Sequence, residues 1–146
     1  MPYARIVLHD GKSADWLAAI STSLQDALEE AFEVPAGDCF QVFQQCRQGE
    51  LVYDRDYGGG PRSGDFVLIH ITGGRPRGLA CKEAFYARLV ERLTDNPGIA
   101  PADVMVIICT IGPDDWSFGN GRAASPPAAS AHQAVPGDTR MRDPRA

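Results

Sequence analysis

The residue with the most unusual chemical potential in this sequence is Pro2. If Met1 is removed, the nitrogen of Pro2 becomes a terminal secondary amine. Such an amine can act as an acid, a base or a nucleophile. Because a proline at position 2 is common, the prediction that Pro2 is catalytic depends on which residues the fold brings to it.

A carboxylate and two guanidinium groups are the candidate partners of Pro2. Asp38 precedes the second predicted strand, and Arg75 and Arg77 follow the third. Taken singly, Asp38 is typical of a turn residue and the two arginines are typical of solvated loop charges. Taken together, they would give the amine a charge partner and give a substrate carboxylate a forked binding site.

The elements that must position these residues follow the order strand, helix, strand, twice over. Apolar side chains at spacings of three and four predict two helices, one beginning after the N-cap Ser13 and ending near Glu33, and one from about Leu79 to Asp95. Short runs bounded by turn residues predict four strands, at 2–9, 39–46, 66–71 and 104–111, of which the second, CFQVFQQC, is mixed in polarity. Residues 47–65 are predicted to be a polar loop.

The two halves, 2–46 and 66–111, look like repeats of one β-α-β unit. Pro2 lies 36 residues before Asp38, and Val67 lies 36 residues before Asp103 (38 − 2 and 103 − 67). Each unit is expected to have parallel strands joined by a right-handed helical crossover. If the units pack about a pseudo-twofold axis, the third strand runs antiparallel to the first. The amine, the carboxylate and both arginines then meet at one end of the sheet.

The predicted fold class is α/β (α+β), with a four-stranded mixed sheet and two helices on one face. The third and fourth strands are nearly all apolar, FVLIHI and VMVIICTI, which predicts that both of their faces are buried. Two helices can cover only one face of such a sheet. We therefore expect the other face to be covered by self-association in a symmetric oligomer.

Composition restricts the alternatives. A domain of residues 1–123 is expected, followed by a disordered tail, 124–146, that is rich in Ala, Pro and Ser. A net charge of −5 argues against nucleic acid as a partner. The absence of a long apolar run and of a signal peptide argues against a membrane and favours the cytoplasm. The four cysteines have no CxxC spacing, so we expect reduced, mostly buried thiols and no metal site.

At this point the sequence resembles the tautomerase superfamily, and within it the malonate semialdehyde decarboxylases. The resemblance rests on four pieces in the same order along residues 2 to about 123: Pro2, Val34-Pro35-Ala36-Gly37-Asp38, Arg75-Pro76-Arg77 and Asp115-Trp116-Ser117-Phe118-Gly119. It departs after Ala123, where those decarboxylases continue with an acidic residue, a phenylalanine and a hydrophobic segment. Ala124-Ser125-Pro126-Pro127 stands there in this chain, which leaves part of the pocket wall and the choice of substrate open.

The resemblance implies a homotrimer that uses no metal and no organic cofactor. It implies that Pro2 is the catalytic acid with Asp38 as its partner, and that Arg75 and Arg77 bind the substrate carboxylate. Trp116 and Phe118 are implied as a hydrophobic wall of the same pocket. The implied reaction is decarboxylation of malonate semialdehyde or a similar short 3-oxo acid to acetaldehyde and carbon dioxide.

The protonation state of Pro2 decides between the reaction classes that these residues could serve. A free α-amine titrates at about 8. Arginines nearby would lower that pKa, and Asp38 would raise it. A cationic Pro2 would serve decarboxylation as an acid, and Asp38 beside the amine favours this form. Pro2 could also form an iminium with the aldehyde. A keto–enol tautomerase, or a hydratase or dehalogenase of short unsaturated acids, would instead use a neutral Pro2 base or an activated water. Retained Met1 would leave a non-catalytic trimeric binding protein.

Overall fold

Four strands form one mixed sheet in the computed structural model of the chain, which describes residues 1–124. They are β1 (Pro2–His9), β2 (Phe40–Cys46), β3 (Val67–Gly73) and β4 (Val104–Thr110), and they lie in the order β2-β1-β3-β4. The predicted strands and fold class are confirmed. Apart from Ala124, the predicted disordered tail, 124–146, lies outside the described residues.

Two helices pack on one face of this sheet. They are α1 (Ala14–Ala31) and α2 (Leu79–Asp95), and the predicted N-cap of α1 is present, with Ser13 Oγ accepting a hydrogen bond from the Trp16 N–H at 3.2 Å. The helix α1 ends earlier than predicted, because Phe32 leaves the helical conformation and Glu33 has a φ of 56°. A non-glycine residue in the left-handed region is uncommon and interrupts an α-helix.

The strand pairing makes the two halves equivalent. β1 and β2 are parallel, β3 and β4 are parallel, and β1 runs antiparallel to β3. Ala4 pairs with Gln41 and Ile69 pairs with Val106, a step of 37 residues in each half (41 − 4 and 106 − 69). A residue of the first half therefore corresponds to the residue 65 positions later, as Ala4 does to Ile69 (69 − 4).

The hydrophobic core lies between the sheet and the helices. Alternate residues of β1 and β3 are buried against the apolar stripes of α1 and α2. The largest of the fully buried side chains are Phe32, Phe66, Phe85, Ile6, Leu8, Ile20, Leu24, Leu28, Ile69, Ile71, Leu89 and Leu93. This core fixes both ends of β1 and β3, and so fixes the backbone from which the predicted site residues project.

The opposite face of the sheet is open in the described chain. Phe40 and Val42 of β2 are about half exposed, and Met105 and Ile107 of β4 are 42% and 39% exposed. In the single chain one face of β4 is therefore uncovered, because both helices pack on the other face, and the predicted burial of both faces depends on the expected self-association. The thiols of Cys39 and Cys109 are also exposed, contrary to the prediction, since Cys39 lies just before the edge strand β2 and Cys109 lies on the edge strand β4.

A cluster of ion pairs joins the outer surfaces of the two helices. Glu30 of α1 accepts hydrogen bonds from Arg88 Nε at 2.5 Å and from Arg92 Nε at 3.1 Å, and Asp26 pairs with Arg92 Nη1 at 2.8 Å. These hydrogen bonds, from Arg92 first and Arg88 second, lower the pKa of Glu30 to about 2. Within residues 1–124, neither helix is long and apolar enough to cross a membrane.

Candidate active site

A cavity of about 290 Å³ lies at the end of the sheet where β1 begins and β3 ends. β3 continues two residues further than predicted, so that Gly73 pairs with Pro2 on one side and with Thr110 on the other. This pairing places the loop after β3 directly beside the start of the chain. The cavity is lined by Met1, Glu33, Pro35, Gly74, Arg75, Arg77, Pro113, Trp116, Phe118 and Ala124.

The chain's terminal amine lies beside a carboxylate at this end. Met1 N is 3.2 Å from Asp38 Oδ2, and both side chains are largely shielded from solvent. Asp38 is held in the turn before β2, where its N–H donates to the Pro35 carbonyl oxygen at 3.2 Å. Pro2 is buried as the first residue of β1. Since Met1 is attached in this structure, the amine near Asp38 is that of Met1, and the nitrogen of Pro2 is an amide.

Arg77 is the more firmly held of the two predicted carboxylate binders. Its Nε donates to the Phe32 carbonyl oxygen at 2.6 Å, and its Nη1 donates to the Arg75 carbonyl oxygen at 3.1 Å. Its guanidinium also stacks 4.1 Å from the centre of the Phe32 ring. Burial, and then the positive charge of Arg75, lowers the pKa of Arg77. An arginine remains charged at neutral pH all the same, so Arg77 presents a fixed cation to the cavity.

Arg75 is held by a residue that was not predicted to belong to the site. Arg75 Nη2 lies 2.7 Å from Glu33 Oε2 and 3.3 Å from the Glu33 carbonyl oxygen. Both side chains are more than half exposed, at 59% for Arg75 and 65% for Glu33. The end of α1 and the loop after β3 are thus linked across the mouth of the cavity.

The two aromatic residues for which the resemblance implies a wall, Trp116 and Phe118, both line this cavity. The rings of Trp116 and Phe118 are stacked, with centroids 6.1 Å apart and planes 21° apart. Trp116 is packed against the backbone of Gly74, since a Cβ on that glycine would lie 3.0 Å from Trp116 Nε1. The Trp116 carbonyl oxygen accepts a hydrogen bond from the Ala124 N–H at 2.8 Å, which closes this segment on itself.

The structure therefore brings Arg75, Arg77, Trp116 and Phe118 to one cavity that Met1 also lines. Asp38 lies outside that lining, 3.2 Å from the Met1 amine, and Pro2 is one residue behind the amine. Cationic donors and an apolar wall suit a small organic anion. Within the described part of the chain, no group of three or more histidine, cysteine, aspartate or glutamate side chains is placed to hold a metal ion.

A second and larger cavity, of about 770 Å³, lies beside the edge strand β4. Its charged residues are engaged in the structure of the loop 47–65. Arg62 Nη1 donates to the carbonyl oxygens of Asp54 and Tyr57, at 2.9 and 2.6 Å, and Asp54 Oδ1 accepts two backbone N–H groups at 2.8 Å. These hydrogen bonds, with Asp56 and then Tyr57, lower the pKa of Asp54. We favour the smaller cavity because its arginines and its amine converge on one space.

Sequence reasoning missed Glu33, although the repeat carries a signal for it. The counterpart of Glu33 in the second half is Gly98, 65 residues later (98 − 33), and Gly98 has a φ of 98°. Glycine is the usual residue where the chain must take a positive φ. A glutamate at the equivalent position is therefore an exception that the comparison of the two halves could have revealed.

Comparisons with known proteins find similar chains. A family model described as "Tautomerase enzyme" matches residues 38–119. A relative from Bacillus subtilis (strain 168), probable tautomerase YusQ, is 34% identical over 123 residues, which cover 84% of this chain and 97% of the relative.

Two solved structures are similar over most of the chain. Malonate semialdehyde decarboxylase, described with decarboxylase and hydratase activities, is 36% identical with a TM-score of 0.75, covering 82% of this chain and 92% of that one. A fused 4-OT, described as a wild-type symmetric trimer, is 18% identical with a TM-score of 0.68, covering 84% and 95%. At that identity the second likeness shows the fold alone.

Proposed function

The chain belongs to the tautomerase enzyme family, and from this premise we propose that it decarboxylates malonate semialdehyde or a similar short 3-oxo acid. The products would be acetaldehyde and carbon dioxide. The observation that carries the proposal is the convergence of the chain's terminal amine, 3.2 Å from Asp38, with Arg75 and Arg77 at one cavity. The 36% identity to a malonate semialdehyde decarboxylase supports the same choice of reaction.

Substrate binding is assigned to the two arginines. The guanidinium groups of Arg75 and Arg77 would hold the carboxylate in a forked geometry and fix its orientation. Arg77 is already immobilised by Phe32, so that little side-chain entropy is lost on binding. Trp116 and Phe118 would exclude water from the opposite side, which favours loss of the carboxylate charge as carbon dioxide forms.

The chemical step needs an electron sink at the carbonyl carbon. The bond between the carboxylate carbon and C2 breaks, and its electron pair moves to form an enolate. A cationic Pro2 amine that donates to the carbonyl oxygen would stabilise this charge, and one such donor is typically worth about 3 kcal/mol. Protonation of C2 then gives acetaldehyde. Asp38 would keep the amine in its cationic form.

This mechanism requires that Met1 is removed, because an acylated proline nitrogen can neither carry a proton nor attack a carbonyl. The position of Met1 N beside Asp38 supports the view that a cation is accommodated there. Loss of one residue would bring the new terminus to Pro2, which remains anchored by its pairing with Gly73. An intact mass spectrum of the native protein checks this requirement directly.

We also propose that the chain is a homotrimer whose open sheet faces are buried against one another. The exposed apolar residues of β2 and β4 support such an interface. The trimer described for the structurally similar fused 4-OT supports the number of subunits. Light scattering coupled to size-exclusion chromatography would measure it.

A keto–enol tautomerase is the second candidate. The similarity to the probable tautomerase from Bacillus subtilis favours it. The same cavity would serve if the Pro2 amine is neutral, because the amine then removes and returns a proton as a base. The pH dependence of each activity separates the two candidates, since the decarboxylase needs the protonated amine and the tautomerase needs the free amine.

The decisive experiment is an assay for acetaldehyde and carbon dioxide formed from malonate semialdehyde. It compares the wild type, freed of Met1, with Pro2→Ala, Arg75→Ala and Arg77→Ala. Arg75→Ala and Arg77→Ala are each expected to lower kcat/KM by about a hundredfold, since each removes a charged group from the reacting ligand. Pro2→Ala keeps a terminal amine but exchanges the ring-held secondary amine for a freely rotating primary amine, so a smaller loss of about tenfold is expected. Arg47→Ala is the matched control, because this exposed arginine pairs with Glu50 outside the cavity. Equal rates in all five proteins would refute the proposal.

A further inference from the structure

Glu33 occupies a backbone position that the second half of the molecule gives to glycine. Its φ is 56°, whereas its counterpart Gly98 has a φ of 98°. A non-glycine residue in the left-handed region costs on the order of 1 kcal/mol or more. The exposed ion pair between Glu33 and Arg75 stabilises the fold by at most about the same amount. Stability of the fold therefore does not account for a glutamate here.

The place of Glu33 in the cavity gives a better reason for a glutamate at this position than stability does. Its carboxylate lies at the wall of the cavity and pairs with Arg75 Nη2 at 2.7 Å. The terminal amine and Asp38 form a second pair of opposite charges, 3.2 Å apart. With both pairs formed, the positive charge of Arg77 is left over, and the cavity carries a net charge of about +1. Without Glu33 that charge would be about +2.

We propose that Glu33 is a specificity-determining residue, which acts through Arg75 to restrict the cavity to ligands with one carboxylate. A monoanion matches the net charge and can still use the free edge of Arg75 together with Arg77. A dicarboxylate would place its second negative charge beside Glu33, in a site with only one unpaired cation. Discrimination by such a repulsive element is a general route to specificity. This inference rests on the proposed function, which supplies the substrate. It adds why a substrate with a single carboxylate is preferred.

The test measures binding, so that it does not depend on catalysis. The dissociation constants of 3-hydroxypropionate, a monocarboxylate, and malonate, a dicarboxylate of the same length, are measured by calorimetry at low salt. The proteins are the wild type, Glu33→Gln and Glu33→Gly, each shown by mass to lack Met1. The wild type should prefer the monocarboxylate. Both variants should shift the ratio of the two constants about tenfold towards malonate.

Two variants guard against an effect on folding. Glu33→Gly copies the residue found at the equivalent position 98 and removes the backbone strain, whereas Glu33→Gln keeps the shape of the side chain and loses its charge. The matched control is Glu91→Gln. Glu91 is similarly exposed, at 69%, and pairs with Arg88 at 2.6 Å on α2, outside this cavity. This control should leave the ratio of the two constants unchanged.

The outcomes distinguish this inference from the proposed function. An unchanged ratio in both Glu33 variants would overturn it, and so would an equal weakening of both ligands, which would mean that Glu33 only holds Arg75 in place. A tenfold shift in the ratio together with no decarboxylation by the wild type would support the inference and refute the decarboxylase. Normal decarboxylation by the wild type with no shift in the ratio would refute the inference and support the decarboxylase.

Discussion

Asp38 and Asp103 hold equivalent positions at opposite ends of the sheet, 65 residues apart (103 − 38), but their surroundings differ. Asp103 is buried, and its two oxygens accept hydrogen bonds from the N–H and the hydroxyl of Ser63 at 2.5 and 2.6 Å. Asp38 is partly exposed and faces the terminal amine. One carboxylate is fully engaged in the fold, and the other is left beside a group that can react.

The aromatic residues at the two ends show the same contrast. Tyr53 stacks on Phe66 with ring centroids 4.2 Å apart, and its hydroxyl donates to the Ser63 carbonyl oxygen at 2.6 Å. The residue equivalent to Tyr53 is Phe118, and the residue equivalent to Phe66 is Met1, each pair being 65 positions apart (118 − 53 and 66 − 1). Phe118 and Met1 line the smaller cavity, whereas Tyr53 and Phe66 line the larger one. The contrast teaches that the loop 47–65 ties one carboxylate, Asp103, into the fold, whereas the equivalent Asp38 is left facing an amine.

The largest expected effect is the loss of activity when the carboxylate of Asp38 is removed. Asp38→Asn is expected to lower kcat/KM for decarboxylation by about a hundredfold, because the Pro2 amine loses the charge that keeps it protonated. The free energy of unfolding should change by less than about 1 kcal/mol, as is usual for a partly exposed ion pair. Steady-state kinetics and urea unfolding measure the two quantities. An NMR titration in which the pKa of the Pro2 amine is the same in both proteins would contradict this role.

The equivalent change at Asp103 should have the opposite pattern. Asp103→Ala removes two hydrogen bonds to a buried charged group and should lower the free energy of unfolding by about 2–3 kcal/mol. The kcat of the folded fraction should be unchanged, because Asp103 lies at the far end of the sheet. Urea unfolding and active-site titration would measure both. A loss of kcat without a loss of stability would mean that the Asp103 end of the sheet takes part in the reaction.

The placement of the candidate site at one end of the sheet could be predicted from the sequence, because it depends only on topology. Two β-α-β units in register are enough to place Pro2, Asp38, Arg75 and Arg77 at one end. The role of Ser63 could not be predicted, since it depends on how the loop 47–65 folds back over Asp103. The contact between Glu33 and Arg75 was missed for a similar reason. It requires a left-handed residue after α1, and an α-helical pattern gives no signal for a positive φ.

A smaller effect is expected at the turn that follows each helix. Gly98→Ala should lower the free energy of unfolding by about 1 kcal/mol, because alanine is strained at a φ of 98° although its Cβ would meet nothing within 4 Å. Glu33→Gly should stay within about 0.5 kcal/mol of the wild type, since it exchanges an exposed ion pair for relief of strain. Chemical unfolding of both variants makes the comparison. Equal destabilisation by the two substitutions would mean that Glu33 is retained for stability after all.

The smallest expected effect concerns the ion pairs between the outer surfaces of α1 and α2. The pKa of Glu30 is lowered from 4.5 to about 2 in the folded chain by its hydrogen bonds to Arg92 and Arg88. Because this pKa is lower in the folded state than in the unfolded state, the contribution of Glu30 to stability is complete above about pH 4.5 and is lost as the pH falls through 2. The difference in unfolding free energy between the wild type and Glu30→Gln should therefore shrink steadily over that range. Urea unfolding at several pH values measures it, with Glu83→Gln, an exposed glutamate of α2 outside the cluster, as the control. A difference that stays constant from pH 5 to pH 2 would show that the ionised carboxylate of Glu30 does not account for its contribution to stability.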